Sequence, residues 1–487
     1  MDLNWNVIFR VTGALFIIIG FSMLPAMLVS FIYTEPDIIE AFVKTIIPSI
    51  FFGGLLILLN KQKEGRPKVR DGYIIVALCW ILASCVAAAP FVISGEITNP
   101  IDAFFETCSG FSTTGSSILT DVEAMSKGLL FWRSFTHWLG GMGILIFAIA
   151  LLPNLGISGQ VIAKAEAPGP TLDKLTPKLS DTAKMLYLLY ICFTAAETIL
   201  LMFGGLSLFD SLVHTFGTVG TGGFSSYNDS IAHFDSAYVD IVISIFMIMS
   251  GVNFNLYFII FRQNLKGFFK DAELRLFLSI IGISTLLISI NLYATDTIGN
   301  IVTSFRYSLF QTATIISTTG FVTANYDLWP TFCKMILLIL MFIGGCSCST
   351  GGGLKVIRIL VIVKLIKRGI SLKLHPNAYV PLKINNKPLP VDTASAIASF
   401  VFLYIITIFV STILVSMDGF SLLTSFSAVV TCLGNIGPGF DLVGPVMNFS
   451  IFSNGPKLIL SFLMLAGRLE LFTIFLLLTP RFWNPNR

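Results

Sequence analysis

The sequence contains 487 residues, of which 55% are hydrophobic and 12% charged, and its formal net charge is +4. Soluble domains are about 45–50% apolar and about 25% charged, so this composition excludes a soluble enzyme, a disordered protein and a nucleic-acid-binding protein. It indicates instead a protein that crosses a membrane several times, in agreement with the mean hydropathy of +0.84.

Ten apolar segments are long enough to cross a bilayer, which takes about 20 residues of helix. In chain order they are 7–33, 38–60, 72–93, 129–152, 184–206, 237–261, 274–295, 331–367, 393–416 and 456–480. The first is too long for the core of a signal peptide, so we expect a retained helix. Four shorter segments, rich in Ser, Thr and Gly, lie between them at 101–116, 208–224, 304–321 and 420–438.

The basic residues concentrate in alternate connections, at 61–70, 164–184, 262–275 and 355–387. The positive-inside rule therefore predicts that both termini are cytoplasmic. The opposite face carries twelve acidic residues: Glu35, Asp37, Glu40, Glu96, Asp121, Glu123, Asp229, Asp235, Asp296, Asp327, Asp418 and Asp441. Such an acidic mouth would concentrate cations, although ordinary solvated loop residues give the same pattern.

The four short segments end in one shared pattern: an apolar residue, a small residue, Thr or Asn, a variable residue and Gly. The last three positions are the candidate ion-binding residues: Thr113, Thr114, Gly115, Thr221, Gly222, Gly223, Thr318, Thr319, Gly320, Asn435, Ile436 and Gly437. Successive glycines are 108, 97 and 117 residues apart, with two apolar segments in each interval. This predicts an all-α integral membrane protein with four pseudo-symmetric helix–pore-loop–helix repeats around one ion pathway, preceded by two extra transmembrane helices.

The shared pattern suits a cation path. Non-helical backbone at membrane depth must be buried or line a water-filled path. Glycine permits positive φ, and a ring of backbone carbonyls replaces the hydration shell of a monovalent cation. The alternative is four tight turns that pack helices together. One equivalent position holds Glu106, His214, Gln311 and Ala428, and because it varies we expect packing or hydrogen bonding there, not ion binding.

We expect five units along the chain. They are 1–71 for the two N-terminal helices, 72–152 for repeat 1, 153–261 for repeat 2, 262–368 for repeat 3, and 369–487 for a cytoplasmic loop and repeat 4.

The second helix of repeat 3 is interrupted by candidate gate residues. They are Gly344, Gly345, Cys346, Ser347, Cys348, Ser349, Thr350, Gly351, Gly352 and Gly353. Each Gly costs a helix about 1 kcal/mol relative to Ala, so we expect a loop that lines the path beneath the four short segments. A movable gate is one interpretation and a passive kink is the other. A nucleotide-binding P-loop is excluded, because Val356 follows Lys355 where that motif requires Ser or Thr.

Arg468 lies inside the tenth apolar segment. An arginine at the bilayer centre costs at least about 2.5–3.5 kcal/mol and almost always faces a cavity or a partner. Glu470 lies on a different face of the helix and cannot simply pair with it. We therefore expect the guanidinium donors to hold carbonyls of 344–353; an ion pair with an acid on another helix is the alternative.

Three motifs carry a family resemblance: the four Gly-terminated segments, Gly-Gly-Cys-Ser-Cys-Ser-Thr-Gly-Gly-Gly-Leu-Lys at 344–355, and Ala-Gly-Arg-Leu-Glu at 466–470. Together they resemble the Trk/Ktr/HKT superfamily of potassium-uptake membrane subunits, most closely its bacterial TrkH/TrkG branch. The resemblance covers essentially the whole chain. It implies K⁺ as the transported ion, no organic cofactor, and a bacterial plasma (inner) membrane location. It also implies a homodimer and a cytosolic TrkA-type regulatory subunit that binds NAD(H) or ATP/ADP.

The sequence favours K⁺ uptake over three other functions. A Na⁺-selective or Na⁺/H⁺-coupled transporter of the same superfamily is the main alternative; in plant relatives Ser at the first-repeat glycine accompanies Na⁺ transport, and here that position is Gly115. An enzyme is not expected, because the four histidines are scattered and form no catalytic or metal-ligand motif. A secondary transporter of anions is disfavoured by the carbonyl ring and the acidic face.

Overall fold

The computed structural model describes residues 3–60, 69–143, 179–261 and 265–484. The described chain is built almost entirely of α-helices, with an antiparallel hairpin of β1 (Lys383–Ile384) and β2 (Lys387–Pro388). The predicted basic clusters at 61–70 and 164–184 lie largely outside the described residues, as does the predicted boundary between repeats 1 and 2 at residue 152.

The helices follow the order of the apolar segments. The first six are α1 (Trp5–Ser22), α2 (Leu24–Ile32), α3 (Pro36–Leu59), α4 (Val69–Ile93), α5 (Pro100–Phe111) and α6 (Lys127–Gly141). The next seven are α7 (Leu179–Phe203), α8 (Leu208–Val219), α9 (Ala237–Gly251), α10 (Phe254–Phe261), α11 (Leu265–Lys270), α12 (Ala272–Ala294) and α13 (Ile301–Ile316). The last seven are α14 (Thr331–Ile343), α15 (Val356–Leu374), α16 (Val391–Val415), α17 (Leu422–Gly434), α18 (Asn454–Arg468), α19 (Glu470–Leu477) and α20 (Pro480–Trp483).

Two apolar candidate spans form at the N-terminus, as predicted. α1 and α2 together make one candidate span, Trp5–Ile32, and α3 makes a second. Gly13 of α1 and Gly53 of α3 each face the backbone carbonyl of the other. Because small residues let helix backbones approach closely inside a membrane, these two glycines set the contact between the leading helices.

The number of continuous spans is smaller than predicted. Within the described residues, six helices are long and apolar enough to cross a membrane, and a seventh candidate is the pair α9 and α10, which meet at a bend of 97°. The predicted span 331–367 is interrupted between α14 and α15, as expected. The predicted spans 237–261 and 456–480 are also broken, between α9 and α10 and between α18 and α19. α6 ends at Gly141, and residues 144–152 lie outside the described residues.

The surface of the spans is strongly apolar. Large side chains on them remain exposed, among them Leu58 at 76% and Phe203 at 80%. Soluble monomers rarely expose large apolar patches, whereas lipid tails cover them at no cost. The exposed apolar surface and the candidate spans together identify an integral membrane protein.

Four short helices, α5, α8, α13 and α17, lead into the four Gly-terminated segments. The side chains of Asn99, Ser207, Asn300 and Ser421 each accept a backbone N–H hydrogen bond at the start of one of these helices. Such caps satisfy donors that have no partner within the helix. Each short helix then ends at the residue before its candidate ion-binding segment, or one residue earlier.

Gly53 and Gly54 of α3 provide a matched test of the N-terminal packing. A methyl group at Gly53 would meet the Gly13 carbonyl, whereas one at Gly54 meets no atom within 4 Å. We expect Gly53→Ala to lower the free energy of unfolding by about 1–3 kcal/mol, the usual cost of overpacking. Gly54→Ala should be neutral or stabilise by up to about 1 kcal/mol, because Ala is the better helix former. Thermal unfolding in detergent measures both, and equal melting temperatures would contradict the tight contact.

Candidate functional site

The four Gly-terminated segments share one backbone conformation. Thr113, Thr221, Thr318 and Asn435 have φ of 56°, 55°, 60° and 54°. The glycines two residues later, Gly115, Gly223, Gly320 and Gly437, have φ of 81°, 79°, 87° and 100°. Positive φ is uncommon for residues other than glycine, so its recurrence at one position of four segments shows that they fold alike.

The four segments meet in cyclic order. Gly115 lies against the carbonyl oxygen of Gly222, Gly223 against that of Thr319, Gly320 against that of Ile436, and Gly437 against that of Thr114. A Cβ atom at any of these glycines would overlap or crowd that oxygen, so both the φ angle and the available space require glycine. The contacts bring all twelve predicted ion-binding residues into one closed ring, which we call the glycine ring.

The polar side chains of the glycine ring are buried, and several of them make hydrogen bonds. The Thr114 hydroxyl lies 2.7 Å from that of Ser112, and the Thr319 hydroxyl lies 2.7 Å from that of Ser317, so the same pair recurs in segments 1 and 3. Asn435, which departs from the Thr of the other segments, donates from Nδ2 to Thr114 Oγ1 at 3.0 Å. Its amide therefore links the fourth segment to the first.

A side chain of each of the first three short helices tethers the chain that follows its own glycine. The pairs are Glu106–Ser117, His214–Ser225 and Gln311–Thr323, at 2.9, 2.9 and 3.3 Å. In the fourth segment Ala428 offers no such group, and the neighbouring Ser427 accepts a hydrogen bond from the Phe440 N–H at 3.1 Å instead. The varied position thus makes hydrogen bonds wherever its side chain permits, as expected.

Arg133 of α6 belongs to the site although no sequence motif pointed to it. Its Nε donates to Glu106 Oε1 at 2.6 Å, and its Nη1 donates to the Ser225 carbonyl at 3.1 Å. The guanidinium also lies 3.5 Å from the centre of the Phe224 ring. This buried cation therefore joins the chain around the first segment to that after the second. The available signal was a charge inside the apolar segment 129–152.

A cavity of about 140 Å³ adjoins one side of the glycine ring. All four ring glycines and several residues that follow them contribute to its lining. None of the twelve acids of the predicted acidic face is among its described lining residues. Several of these acids hold loops instead. Glu35 accepts hydrogen bonds from the N–H groups of Lys127 and Gly128. Asp441 accepts hydrogen bonds from the hydroxyls of Ser421 and Thr424, and these bonds, that of Ser421 first, lower the pKa of its carboxyl group.

The predicted loop 344–353 lies against the other side of the glycine ring. The Gly352 N–H donates to Thr318 Oγ1 at 2.6 Å. Gly351 and Gly352 lie so close to the carbonyls of Ser317 and Gly434 that a Cβ atom at either position would come within 2.7 Å of the oxygen. The loop therefore contacts the third and fourth segments directly, through backbone carbonyls and through the Thr318 hydroxyl.

The remainder of the loop is closed and anchored. Gly344 and Gly353, with φ of 76° and 74°, face each other where the loop leaves α14 and returns to α15. The Cys346 N–H donates to the Gly251 carbonyl at 2.8 Å, and the Cys348 carbonyl accepts from the Phe254 N–H at 3.1 Å. The break between α14 and α15 thus fits into the break between α9 and α10.

Arg468 connects the loop to the first repeat. Its Nη1 donates to the Thr350 carbonyl at 2.5 Å, and its Nη2 donates to the Gly140 and Gly141 carbonyls at 2.6 Å each. The expected contact with a carbonyl of 344–353 is present, and the contacts with the end of α6 were not predicted. Glu470 pairs instead with Arg358 of α15 at 2.6 Å, in line with the expectation that it does not simply pair with Arg468.

Glu273 of α12 joins the loop to the start of α15. Its Oε1 accepts from the Ser347 N–H at 2.6 Å and from the Ile357 N–H at 3.1 Å, and its Oε2 accepts from the Ser347 hydroxyl at 2.6 Å. Lys355 completes the closure, because its Nζ donates to the Gly351 carbonyl. We call these contacts of Glu273 the glutamate clasp. In the sequence, the only sign of this role was that Glu273 is an acidic residue at the start of an apolar segment.

The Arg133–Glu106 pair gives a stability test. Arg133→Met leaves the Glu106 carboxylate buried without its cation, which should cost about 3–5 kcal/mol. The double variant Arg133→Met, Glu106→Gln removes both charges and should recover part of that loss. Thermal unfolding in detergent measures both proteins. A single variant as stable as the parent, or a double variant no more stable than the single one, would contradict a paired, buried arginine.

Comparison with known proteins agrees with this geometry. The family model described as TrkH, a cation transport protein, matches residues 38–484. The Trk system potassium uptake proteins TrkH and TrkG of Escherichia coli are 36% and 34% identical, over 99% and 98% of this chain and 100% and 99% of their own lengths. The crystal structure of the potassium transporter TrkH from Vibrio parahaemolyticus matches with a TM-score of 0.89 and 34% identity, covering 99% of this chain and 100% of that chain. The chain therefore belongs to the TrkH family of cation transport proteins.

Proposed function

We propose that this protein takes up K⁺ through the glycine ring, which acts as its selectivity filter. The observation that carries the proposal is the cyclic contact of four glycines with the carbonyls of their neighbours. Proteins that are related over their whole length bear the name potassium uptake protein, which supports K⁺ as the ion. The site offers backbone carbonyls, groups that coordinate cations, and this favours transport over catalysis.

The filter works through backbone dipoles. Four pseudo-symmetric helix–pore-loop–helix units place one carbonyl-bearing segment each around the path, and their oxygens replace the hydration shell of the ion. The short helices α5, α8, α13 and α17 end at these segments, so their negative ends add to the attraction for a cation. One charge crossing about 100 mV gains about 2.3 kcal/mol, which drives accumulation without ATP at the pore.

The loop 344–353, together with Arg468, is the proposed gate. The loop packs directly against ring residues, since the Gly352 N–H donates to Thr318 Oγ1 at 2.6 Å. In this proposal the loop blocks the path on that side of the ring, so conduction requires the loop to move. The positive charge of Arg468 adds electrostatic repulsion on the same path.

Regulation and assembly complete the proposal. We place the protein in the bacterial inner membrane with both termini in the cytoplasm, in accordance with the positive-inside rule. The Trk system names of its relatives support a multi-component uptake system. We propose a homodimer and a cytosolic TrkA-type subunit that binds NAD(H) or ATP/ADP and acts on the gate through α15. The alternative is Na⁺-selective or Na⁺/H⁺-coupled transport, which the glycine at position 115 disfavours.

The filter is tested at Gly115. Gly115→Ser should bring the Rb⁺/Na⁺ uptake ratio in proteoliposomes several-fold closer to one, because a Cβ meets the Gly222 carbonyl. The matched control is Gly95→Ser, since Gly95 has a φ of 80° against 81° at Gly115 but no atom within 4 Å of its Cβ position. This control carries the same backbone strain and should keep the parent ratio. An unchanged ratio in Gly115→Ser would refute the filter assignment.

The gate is tested at Arg468. Arg468→Ala removes the donors to Thr350, Gly140 and Gly141 together with the charge, so basal K⁺ flux per inserted protein should rise several-fold. Arg468→Lys keeps the charge but loses the forked donors of the guanidinium group, so its flux should lie between that of the parent protein and that of Arg468→Ala. A well-folded Arg468→Ala protein with parental flux would exclude the gating role.

The glutamate clasp gives a second gate test. Glu273→Gln replaces one of the two acceptor oxygens by an NH₂ group, which cannot accept a hydrogen bond. One contact of the clasp is therefore weakened or lost, and basal flux should rise. Asp392→Asn is the control, since Asp392 is an exposed acid in the first turn of α16. Flux measured in proteoliposomes should increase only for the Glu273 variant. Equal flux in the two variants would show that the clasp does not restrain the loop.

A further inference from the structure

A basic cleft lies apart from the ring and the gate. It is bounded by α10, α11, the start of α12, α15 and the β1–β2 hairpin, and its volume is about 630 Å³. Four cations line it: Lys270, Arg275, Lys364 and Lys383. Asp271 is the one acid in the described lining, so the cleft carries a clear excess of positive charge.

The charges of the cleft are not neutralised from within. In the described ranges, the ion pairs within 4 Å join other residues and include none of the four cations. The Asp271 carboxylate accepts from the Leu274 N–H at 2.8 Å and from Asn385 Nδ2 at 2.7 Å, and it offsets at most one of the four positive charges. Lys364 Nζ donates to the Lys383 carbonyl, which holds α15 to the hairpin and keeps two cations side by side.

The cleft lies at the edge of the membrane. α12 is a candidate span that begins at Ala272, so Asp271 and Lys270 stand where that span starts. α10 turns by 97° from α9 and so runs nearly perpendicular to that helix. Its Leu256 and Ile259 line the cleft beside the cations. Phe269, adjacent to Lys270 in the chain, is 60% exposed. Apolar walls and a cationic rim meet at this point.

We propose that the cleft binds the headgroup phosphate of an anionic phospholipid. Basic pockets between helices on the cytoplasmic side of a membrane are suited to such headgroups, and the volume lies in the range of small-ligand sites. The phosphate binds among the four cations and the acyl chains follow the apolar wall of α10. A soluble phosphate offers the same anion without the chains, and the apolar wall favours the lipid. This site is separate from the proposed transport path and does not depend on it.

The test uses the full-length protein in neutral detergent, with short-chain phosphatidylglycerol as the probe and native mass spectrometry as the readout. Phosphatidylglycerol should bind more tightly than phosphatidylcholine. The double variant Lys270→Gln, Arg275→Gln should weaken its binding about thirtyfold, and Lys383→Gln on the hairpin about fivefold. The control double variant Lys367→Gln, Lys373→Gln removes two exposed charges from α15 and should change binding little.

Three results would overturn the proposal. Equal weakening by the control variant would mean attraction to overall charge and not to the cleft. Parental binding in both cleft variants would place the lipid elsewhere. Displacement of phosphatidylglycerol by inorganic phosphate at equal concentration would identify a site for soluble anions, since the acyl chains would then add nothing to affinity.

Discussion

Backbone that leaves the helical conformation inside a membrane must find partners for its N–H and C=O groups within the protein. The centre of this molecule depends on that constraint. Four such segments meet through glycines whose missing side chains let backbone touch backbone. A fifth irregular segment, 344–353, lies against them and bonds to a further break between α9 and α10. Because the loop and the break between α9 and α10 supply hydrogen-bond partners to each other, these two breaks occur at one place.

The buried charges follow the same logic. An isolated charge in a low-dielectric interior is costly unless it is paired or well bonded. Arg133 pairs with Glu106, Arg358 pairs with Glu470, and Arg468 is bonded to backbone carbonyls. The first pair stabilises the side of the ring that adjoins the cavity, while the others surround the loop. Charge is therefore placed where irregular backbone needs strong partners.

The four ring segments are similar to one another but not identical. Segments 1 and 3 repeat the same hydroxyl pair, whereas the fourth uses an asparagine amide to reach the first. The long glycine-rich loop occurs in the third repeat, and its main anchors come from outside the second helix of that repeat, at Glu273 and Arg468. The ring is therefore nearly symmetric, whereas the loop that lies against it is anchored asymmetrically.

Much of this organisation is determined by the sequence alone, because it rests on local or periodic properties. Lengths of apolar segments predict the spans, the spacing of glycines predicts the four segments, and the cost of burying Arg468 predicts a carbonyl partner. Tertiary structure decided which groups meet. The breaks at α9–α10 and α18–α19, the role of Arg133 and the glutamate clasp depend on contacts between distant residues, as in the Arg468–Thr350 bond across 118 positions. Hydropathy measures only the preference for lipid over water, so it cannot reveal where a helix breaks to satisfy a partner that the chain supplies elsewhere.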